Sequence, residues 1–370
     1  MKIVVASSGR AHLLDCAREL SKQGHEVTFY ACTPKKYLLK YGYPKGTSLI
    51  WFMAPFFMLK RCLPSEFSRQ LFMEVLDFVV YCLMPRCDVF IAQSPNYSRC
   101  MLKAKRKYGA ICILDRGSSH IRTFNRLGKL YGQTHINRRY VRIDEEEYLY
   151  ADYVAIASSF VERSFIENGY DKNKLFINPY GVSLKHFYPT QCTNEFDCIV
   201  VGTWGKRKGS ALIVDAFRNT DVSVLHVGAI TDVPFPNEAN FVHVNSVAEE
   251  YLVDYYKKAK VFIFPSYEDG FGLVLCQAAA CGLPIVCSSN TGGPTLKEMI
   301  GDKDNIYIME DITSLSLFKG VKRQLAHCKQ DGVRNYVSDK MELFTWESYG
   351  QRYNSFLRKI VMCSLNEEQR

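Results

Sequence analysis

The stretch FPSYEDGFGLVLCQAAACGLPIV (264–286) is the most informative part of the sequence, because a strand end, a glycine-bearing loop and a helix start follow one another in it. An apolar run ends at the Pro-Ser pair, the glycine loop follows, and a helix is predicted from Leu273. Glycines let the backbone approach a ligand closely. The free N–H groups at the helix start favour an anion by ~0.3–1 kcal/mol. The stretch therefore predicts a site in which Asp269 and Gln277 bind a ligand. The alternative is that Asp269 only caps the helix and Gln277 is exposed to solvent.

Outward from this stretch, strand-like and helix-like runs alternate along the chain. Predicted strands cover 2–7, 26–31, 48–53, 88–93, 110–115, 153–158, 198–203, 223–228, 240–245, 260–266, 283–288 and 305–310. Predicted helices cover 11–22, 208–217, 247–259, 272–281 and 346–360. Such alternation predicts parallel sheets with helices on both faces. A turn-rich break at 178–197 is the predicted linker. The sequence therefore predicts an α/β protein of two domains, with a ligand bound in the cleft between them.

Composition excludes several other classes of protein. The 370 residues are 47% hydrophobic and 23% charged, which are ordinary globular values rather than those of a disordered chain. No apolar run reaches the ~18 residues of a membrane span. The fourteen cysteines form no C-x-x-C pair and no zinc-like spacing with histidine, so free thiols and a reducing compartment are predicted. We expect a soluble, cytoplasmic protein.

The net charge of +9 is concentrated in one stretch. Residues 103–142 contain eleven Lys and Arg side chains and one acidic residue, Asp115. Such a stretch favours phosphate groups, an acidic lipid surface or nucleic acid as partners, with a merely solvated surface as the alternative. The apolar segments 49–59 and 71–85 add a surface that peripheral membrane contact would use. Their acidic residues, Glu74 and Asp77, favour burial of both segments in the core instead.

Several segments together resemble a known family. The 264–286 stretch is similar in spacing and order to the E-G-F-G-L-x-x-x-E signature of retaining GT-B glycosyltransferases of family 4, the group 1 type. Residues 198–217 resemble the strand, basic loop and helix with which that family holds a donor diphosphate. Residues 151–189 and 344–357 resemble its interdomain segment and its C-terminal helix.

The resemblance implies a GT-B fold, in which two Rossmann-like doubly wound domains face a cleft. The implied acceptor-binding domain covers 1–185 together with a C-terminal helix, about 346–370, that crosses back to it. The implied nucleotide-sugar-binding domain covers 190–345. The implied reaction moves a sugar from a nucleotide-diphosphate sugar to a hydroxyl of a glycan or phosphorylated lipid-linked acceptor, with retention of configuration. No cofactor and no metal are expected.

Site residues carry over by position in the family's motifs. The catalytic candidates are His120, Asp269 and Lys208. The donor-binding candidates are Gly9, Thr203, Arg207, Lys208, Gly270, Phe271, Gly272, Leu273 and Gln277. The acceptor-side candidates are His12, Arg116 and Ser118. Lys208 and the helix start would stabilise the departing diphosphate.

The sequence departs from the family pattern in three features. The usual glutamate pair is Asp269 and Gln277, and Gln277 keeps hydrogen-bonding capacity without charge. Thr203 stands where many members have an arginine, and Gly9 is a single glycine where a pair is common. A catalytically weakened protein that binds glycan, nucleotide or nucleic acid is therefore the alternative function.

Missing motifs argue against two further functions. An NAD-dependent dehydrogenase needs G-x-G-x-x-G after its first strand, and this chain has SSGRAH there. RNA binding would use the aromatic residues interleaved in 103–142, but no RNA-recognition motif accompanies them, so no specific nucleic acid is expected.

Overall fold

The protein is described by a computed structural model that covers residues 1–9, 11–43, 45–59, 65–95, 97–133, 136–330 and 332–368. Its first domain contains a parallel sheet of seven strands, in the order β3-β2-β1-β4-β5-β6-β7. The strands are β1 (Lys2–Ser7), β2 (Glu26–Ala31), β3 (Thr47–Ser48), β4 (Val89–Gln93), β5 (Ile111–Arg116), β6 (Tyr153–Ile156) and β7 (Leu175–Ile177).

Helices cover both faces of this sheet. They are α1 (Leu13–Lys22), α2 (Lys35–Lys40), α3 (Ile50–Leu59), α4 (Ser65–Leu83), α5 (Ser98–Tyr108), α6 (Ile121–Gly128), α7 (Arg138–Tyr150) and α8 (Ser159–Ile166). The central strands are almost entirely buried because helices shield both faces; β1, for example, exposes only its first residue.

The second domain repeats this plan with a six-stranded parallel sheet, in the order β10-β9-β8-β11-β12-β13. Its strands are β8 (Phe196–Val201), β9 (Val224–Val227), β10 (Phe241–Val244), β11 (Ala259–Phe264), β12 (Ile285–Cys287) and β13 (Ile306–Ile308). Its helices are α9 (Ser210–Phe217), α10 (Leu252–Tyr256), α11 (Leu273–Ala280), α12 (Gly293–Ile300) and α13 (Ser314–His327). The predicted pair of doubly wound domains is confirmed.

The last helix, α14 (Trp346–Glu368), returns to the first domain. Its Gly350 lies so close to α1 that a Cβ there would stand 2.5 Å from the Cβ of Glu19. The ring of Phe356 stacks on that of Phe176 at 4.0 Å between centroids. Where the chain first leaves the first domain, the N–H of Val182 donates to the carbonyl of Phe344 at 2.7 Å. The predicted return of the C-terminal helix is thus confirmed.

One predicted strand is wrong. Of the run 48–53, only Ser48 belongs to a strand, and the chain turns into α3 from Ile50. A short run of large apolar residues does not distinguish a strand from a helix by periodicity. In α3, Met53 and Phe56 are buried while Trp51 and Met58 stand outside, which is a helical and not an alternating pattern.

Among the described residues, no helix has both the length and the apolar character needed to cross a bilayer.

Candidate functional site

In each sheet the strand order reverses at the centre. In doubly wound folds, ligands bind outside the carboxyl ends of the strands at that point. The switch lies between β1 and β4 in the first domain and between β8 and β11 in the second. The candidate site is therefore built from the loops that follow these strands and from the loop after β5.

The loop after β8 presents three consecutive cations. Residues Lys206–Lys208 form a single 3-10 turn, and Gly209 then starts α9 with φ +74°. A Cβ on Gly209 would stand 2.3 Å from the carbonyl oxygen of Pro265, so only glycine allows this loop to lie against the end of β11. The Lys208 ammonium consequently lies 4.8 Å from the centroid of the Phe264 ring.

The loop after β11 supplies two carboxylates, one for each of two of these cations. Lys208 forms an ion pair with Asp269, and Arg207 Nη1 donates to Glu268 Oε2 at 3.1 Å. Burial is the largest influence on the pKa of Asp269 and raises it, but Lys208 and Arg207 outweigh burial, so this pKa lies below its usual value. Asp269 is therefore ionised at neutral pH and holds Lys208 at the start of α11.

Glu268 joins the two domains, a role that the sequence reasoning missed. Its side chain is fully buried, and its Oε1 accepts the backbone N–H of Ser119, in the loop after β5, at 2.9 Å. The same carboxylate receives Arg207 on its other oxygen. The motif alignment places the family's acid on Asp269, so no sequence signal identified the carboxylate beside it as the contact between domains.

The glycine loop contacts the first domain through its backbone. A Cβ on Gly270 would stand 2.2 Å from the carbonyl oxygen of Gly117 and 3.0 Å from the Cα of Ser118. Ser158 Oγ donates to the carbonyl of Gly270 at 2.6 Å. The predicted residues Gly270 and Ser118 are therefore brought together. Gly272 has φ +81° and starts α11, as the motif predicts.

His12 lies on the cleft side of the first domain. Its Nε2 donates to Asp115 Oδ1 at 2.6 Å, and its ring stacks on Tyr180 at 4.1 Å between centroids. Tyr180 in turn packs edge-on against Phe271 at 5.5 Å. A chain of contacts therefore runs from Asp115 through His12 to the start of the second-domain helix.

The structure places Arg116 within the first domain instead of in the cleft. Its guanidinium is buried, pairs with Asp144 at 2.8 Å and donates to the hydroxyl of Ser94 and the carbonyl of Ser119. Arg116 thus positions the loop that carries Ser118 and Ser119.

His120 is also turned inward. Its ring centroid lies 5.0 Å from those of Tyr148 and Phe165, and its Nδ1 accepts the N–H of Arg122 as the N-cap of α6. Burial, assisted by the charge of Arg116, lowers the pKa of His120 to about 4. These contacts lie within the first domain, and the role of His120 at the donor sugar stays a prediction.

The remaining donor candidates lie around the same loops. Thr203 is exposed at the cavity described below. Gln277 is nearly buried in α11, and its Oε1 accepts the hydroxyl of Tyr256 at 3.0 Å. Gly9 follows β1, where its N–H lies 3.4 Å from Ser7 Oγ and a Cβ would meet no atom within 4 Å.

A cavity of about 620 Å³ opens between the domains at these loops. Phe124, Tyr131 and Gln133 line it from the first domain. From the second domain it is lined by Thr203, Gly205, Lys206, Arg207, Lys208, Thr231 and Asp232. Across the two domains, the rings of Tyr131 and Tyr267 lie 5.4 Å apart.

Three buried hydroxyls in the interdomain loops have no hydrogen-bond partner among the described residues: those of Ser119, Tyr180 and Ser266. Buried polar groups are nearly always paired with protein, water or ligand. These three hydroxyls are therefore available to form hydrogen bonds with a water molecule or a ligand.

More than half of the cations in the basic stretch 103–142 form ion pairs within the protein. Lys105, Arg116, Arg122, Arg126, Arg139 and Arg142 are held in ion pairs by Asp152, Asp144, Glu145, Glu167, Glu74 and Glu146. No described group of three or more His, Cys, Asp or Glu side chains is placed to hold a metal ion.

Residues 195–326, which span most of the second domain, match the family described as glycosyl transferases group 1. Among curated proteins, the capsular polysaccharide biosynthesis glycosyltransferase CapM of Staphylococcus aureus is 23% identical over 240 residues. That match covers 56% of this chain and 62% of CapM, so the chain spans less than two thirds of this relative.

Solved structures share the fold over nearly the whole chain. Sucrose-phosphate synthase of Thermosynechococcus elongatus is 16% identical, with a TM-score of 0.69 over 98% of this chain and all of that chain. Anabaena HepE in complex with UDP and glucose is 15% identical, with a TM-score of 0.65 over 97% of this chain and all of that chain. The predicted resemblance to group 1 glycosyltransferases with a GT-B fold is confirmed, whereas family 4 and retention stay predictions.

Proposed function

We propose that this protein transfers a sugar from a nucleoside-diphosphate sugar to a hydroxyl of a glycan or lipid-linked acceptor, with retention of configuration. The observation that carries the proposal is the interdomain cavity with Arg207 and Lys208 at its wall. A diphosphate is the part of such a donor that two adjacent cations and a nearby helix start would recognise.

The cations are already positioned before a ligand arrives. Lys208 is paired with Asp269 and Arg207 with Glu268, so both cationic side chains are held in one position. Groups fixed in advance cost little reorganisation when negative charge develops on a leaving diphosphate. We therefore assign Lys208 to the stabilisation of the leaving group and Arg207 to the binding of the diphosphate.

The first domain supplies the acceptor side in this proposal. His12 stacks on Tyr180, which packs against Phe271, and Ser118 lies against Gly270. A retaining transfer at one face of the sugar uses the leaving phosphate to accept the acceptor's proton, so the neighbouring protein groups need only orient the acceptor. His12 and the unpaired hydroxyl of Tyr180 are our candidates for that orientation.

The test is a thermal-shift panel of UDP, GDP, ADP, dTDP, CMP and NAD, each with and without EDTA. A ligand that binds the folded state raises the midpoint of unfolding in proportion to RT ln(1 + [L]/Kd). We expect a selective, EDTA-insensitive shift with one nucleoside diphosphate. UDP is the first probe, because the HepE structure contains it.

The panel is followed by transfer assays with the matching sugar nucleotide and NMR of the product's anomeric proton. Retained configuration would complete the proposal, and inversion would contradict its stereochemical part alone. No shift with any nucleotide would contradict the whole proposal and favour a binding protein that lacks the donor site.

A further inference from the structure

Helix α3 carries an apolar face that points away from the protein. Trp51 exposes 85% of its surface and Met58 78%, and Phe52, Pro55 and Leu59 are exposed on the same side of the helix. A helix that lies on a globular core normally turns polar residues to water. The opposite face of α3, with Met53 and Phe56, is buried in the protein. The helix therefore has two apolar faces, one buried and one exposed to solvent.

Helix α4 extends this surface. It packs against α3 where Phe72 meets Phe56 and Phe57, at 5.4 and 6.3 Å between ring centroids. Phe67, Phe78 and Tyr81 are exposed on α4, at positions that recur along one side of the helix. We call the exposed apolar residues of α3 and α4 together the α3–α4 surface. The expectation that segments 49–59 and 71–85 are buried is therefore wrong for their outer faces.

Cations border the α3–α4 surface. The Lys103 ammonium lies 4.7 Å from the centroid of the Tyr81 ring, and Arg99 Nη1 donates to the carbonyl of Glu74. Arg69 stands on α4 itself, over the ring of Tyr140.

Among the described side chains of α4 and α5, acidic groups are fewer than cations. Among the described side chains at this border, the exposed carboxylate is that of Glu74, paired with Arg139 at 3.4 Å. Asp77 is buried beneath, where it accepts the backbone N–H groups of Arg99 and Cys100. The border of the surface is therefore cationic.

We propose that the α3–α4 surface docks on an anionic lipid bilayer. Protruding Trp and Phe side chains suit the interfacial layer of a membrane, and adjoining Lys and Arg side chains suit acidic headgroups. The proposal concerns a surface outside the interdomain cavity, and it does not depend on the proposed transfer reaction.

A second copy of the chain fits this surface less well. In a two-fold contact the same residues face each other, so Arg69, Arg99 and Lys103 of both copies would be brought together at the rim. An acidic membrane neutralises these charges instead.

The position of the surface relative to the cleft adds a consequence. Helix α3 begins two residues after β3, at the carboxyl edge of the first sheet. The loops after β1 and β5, with His12 and Ser118, leave the same edge because all strands are parallel. Docking through α3 would therefore bring a bilayer to the acceptor side of the molecule.

The test is sedimentation of the full chain with vesicles of phosphatidylcholine alone and of phosphatidylcholine mixed with phosphatidylglycerol, without any nucleotide. We expect the chain to bind the mixed vesicles and to leave them at high salt. The double variant Trp51→Ser/Met58→Ser should bind at least about tenfold more weakly, since both side chains leave water on docking. Arg69→Gln/Arg99→Gln should weaken binding about fivefold or more.

Matched controls separate docking from misfolding. Leu315→Ser/Met362→Ser removes two comparably exposed apolar side chains elsewhere and should leave vesicle binding unchanged. Brominated lipids should quench part of the tryptophan fluorescence of the wild-type chain, and this quenching should be lost in Trp51→Ser/Met58→Ser, which keeps Trp204 and Trp346.

Two outcomes would overturn the proposal. One is a chain that stays in the supernatant with mixed vesicles, or that binds them equally well after Trp51→Ser/Met58→Ser. The other is a dimer in analytical ultracentrifugation that this double variant dissociates, which would assign the surface to a second copy.

Discussion

The loops after β1 and after β8 occupy the same place in their two sheets, yet they carry different chemistry. Both leave the central strand next to the point where the strand order reverses. The first, SSGRAH, has one arginine and ends at His12, whereas the second, TWGKRKGS, has three cations in succession. The shared fold provides two equivalent positions, and the side chains decide that the second domain is the better one for an anion.

The partners of the two loops differ in the same way. His12 is held by Asp115, a residue of β5 in its own sheet. Lys208 and Arg207 are held by the Asp269–Glu268 pair, and Glu268 also reaches the backbone of the other domain at Ser119. The charged loop of the second domain is thus linked to the first domain through the Glu268 carboxylate, whereas His12 is linked to the second domain through the ring contacts of Tyr180 with Phe271.

The largest effect is expected from Lys208→Ala, which reduces the cations of the second loop from three to two and so brings its charge closer to that of the first loop. Removing one preorganised group that stabilises developing negative charge lowers turnover about 10²–10³-fold. The midpoint of unfolding should change little, because Arg207 remains beside Asp269 to offset its charge. Turnover with the sugar nucleotide that the thermal-shift panel selects is the measurement.

Lys322→Ala is the matched control for this variant. It removes the same side chain and an ion pair, with Asp221, from an exposed position on α13. Wild-type turnover in the control and in Lys208→Ala alike would contradict the assignment of the anion to the second loop.

A smaller effect is expected from His120→Asn, measured as a change in the pH dependence of stability. The pKa of His120 is lowered from 6.5 to about 4 in the folded protein, so between these values only the unfolded chain takes up the proton. His120 alone should therefore lower the stability of the wild-type protein by about 2–3 kcal/mol as the pH drops from 6.5 towards 4, in addition to what the other titrating groups contribute. Asn keeps an N-cap for α6 and removes this dependence.

Thermal unfolding of both proteins at several pH values in that window is the measurement. His226 has a pKa lowered to about 4 by burial as well, and its contribution is common to both proteins. Parallel pH profiles would show that His120 is not the buried neutral histidine that the structure describes.

The smallest effect is expected from Glu268→Gln, which removes the charge that couples Arg207 to the first domain. The amide oxygen can still accept the N–H of Ser119, and Arg207 keeps its bond to the Glu268 carbonyl. We expect a loss of about 1–2 kcal/mol in the free energy of unfolding, because Arg207 is only half-buried. A urea titration measures it.

Glu238→Gln serves as the comparison, since Glu238 pairs with Arg218 on the protein surface. An exposed pair contributes about 0–1 kcal/mol. Equal losses in the two variants would indicate that Glu268 is an ordinary ion-pair partner and not a link between domains.

The sequence was sufficient for the architecture because strand and helix patterns there are local. Continuous apolar runs such as KIVVAS and glycines at helix starts are visible residue by residue, and the strands they predict agree with β1, β2, β4 and their counterparts in the second domain. Helix α3 was mistaken for a strand because its two faces are both apolar, which removes the periodicity that distinguishes a helix.

The site was predictable only where a motif fixes the positions. The signature directs attention to Lys208, Asp269 and Gly270; the first two form an ion pair, Gly270 lies against Gly117, and their roles toward a donor stay predictions. The role of Glu268 and the inward direction of Arg116 were not predictable, since both depend on partners 149 and 28 residues away in the chain. A basic residue at a strand end, such as Arg116, looks the same in the sequence whether its partner is Asp144 or a phosphate group.

The contact between Val182 and Phe344 has a mechanical consequence. The chain crosses between the domains twice, near 182 and near 345, and the two crossings are bonded side by side, with Gly181 packed against the backbone of Trp346. Two crossings that lie side by side form a single connection between the domains. A rotation that opened the cleft would pivot there, so the domains would separate most on the side of the cleft farthest from these crossings.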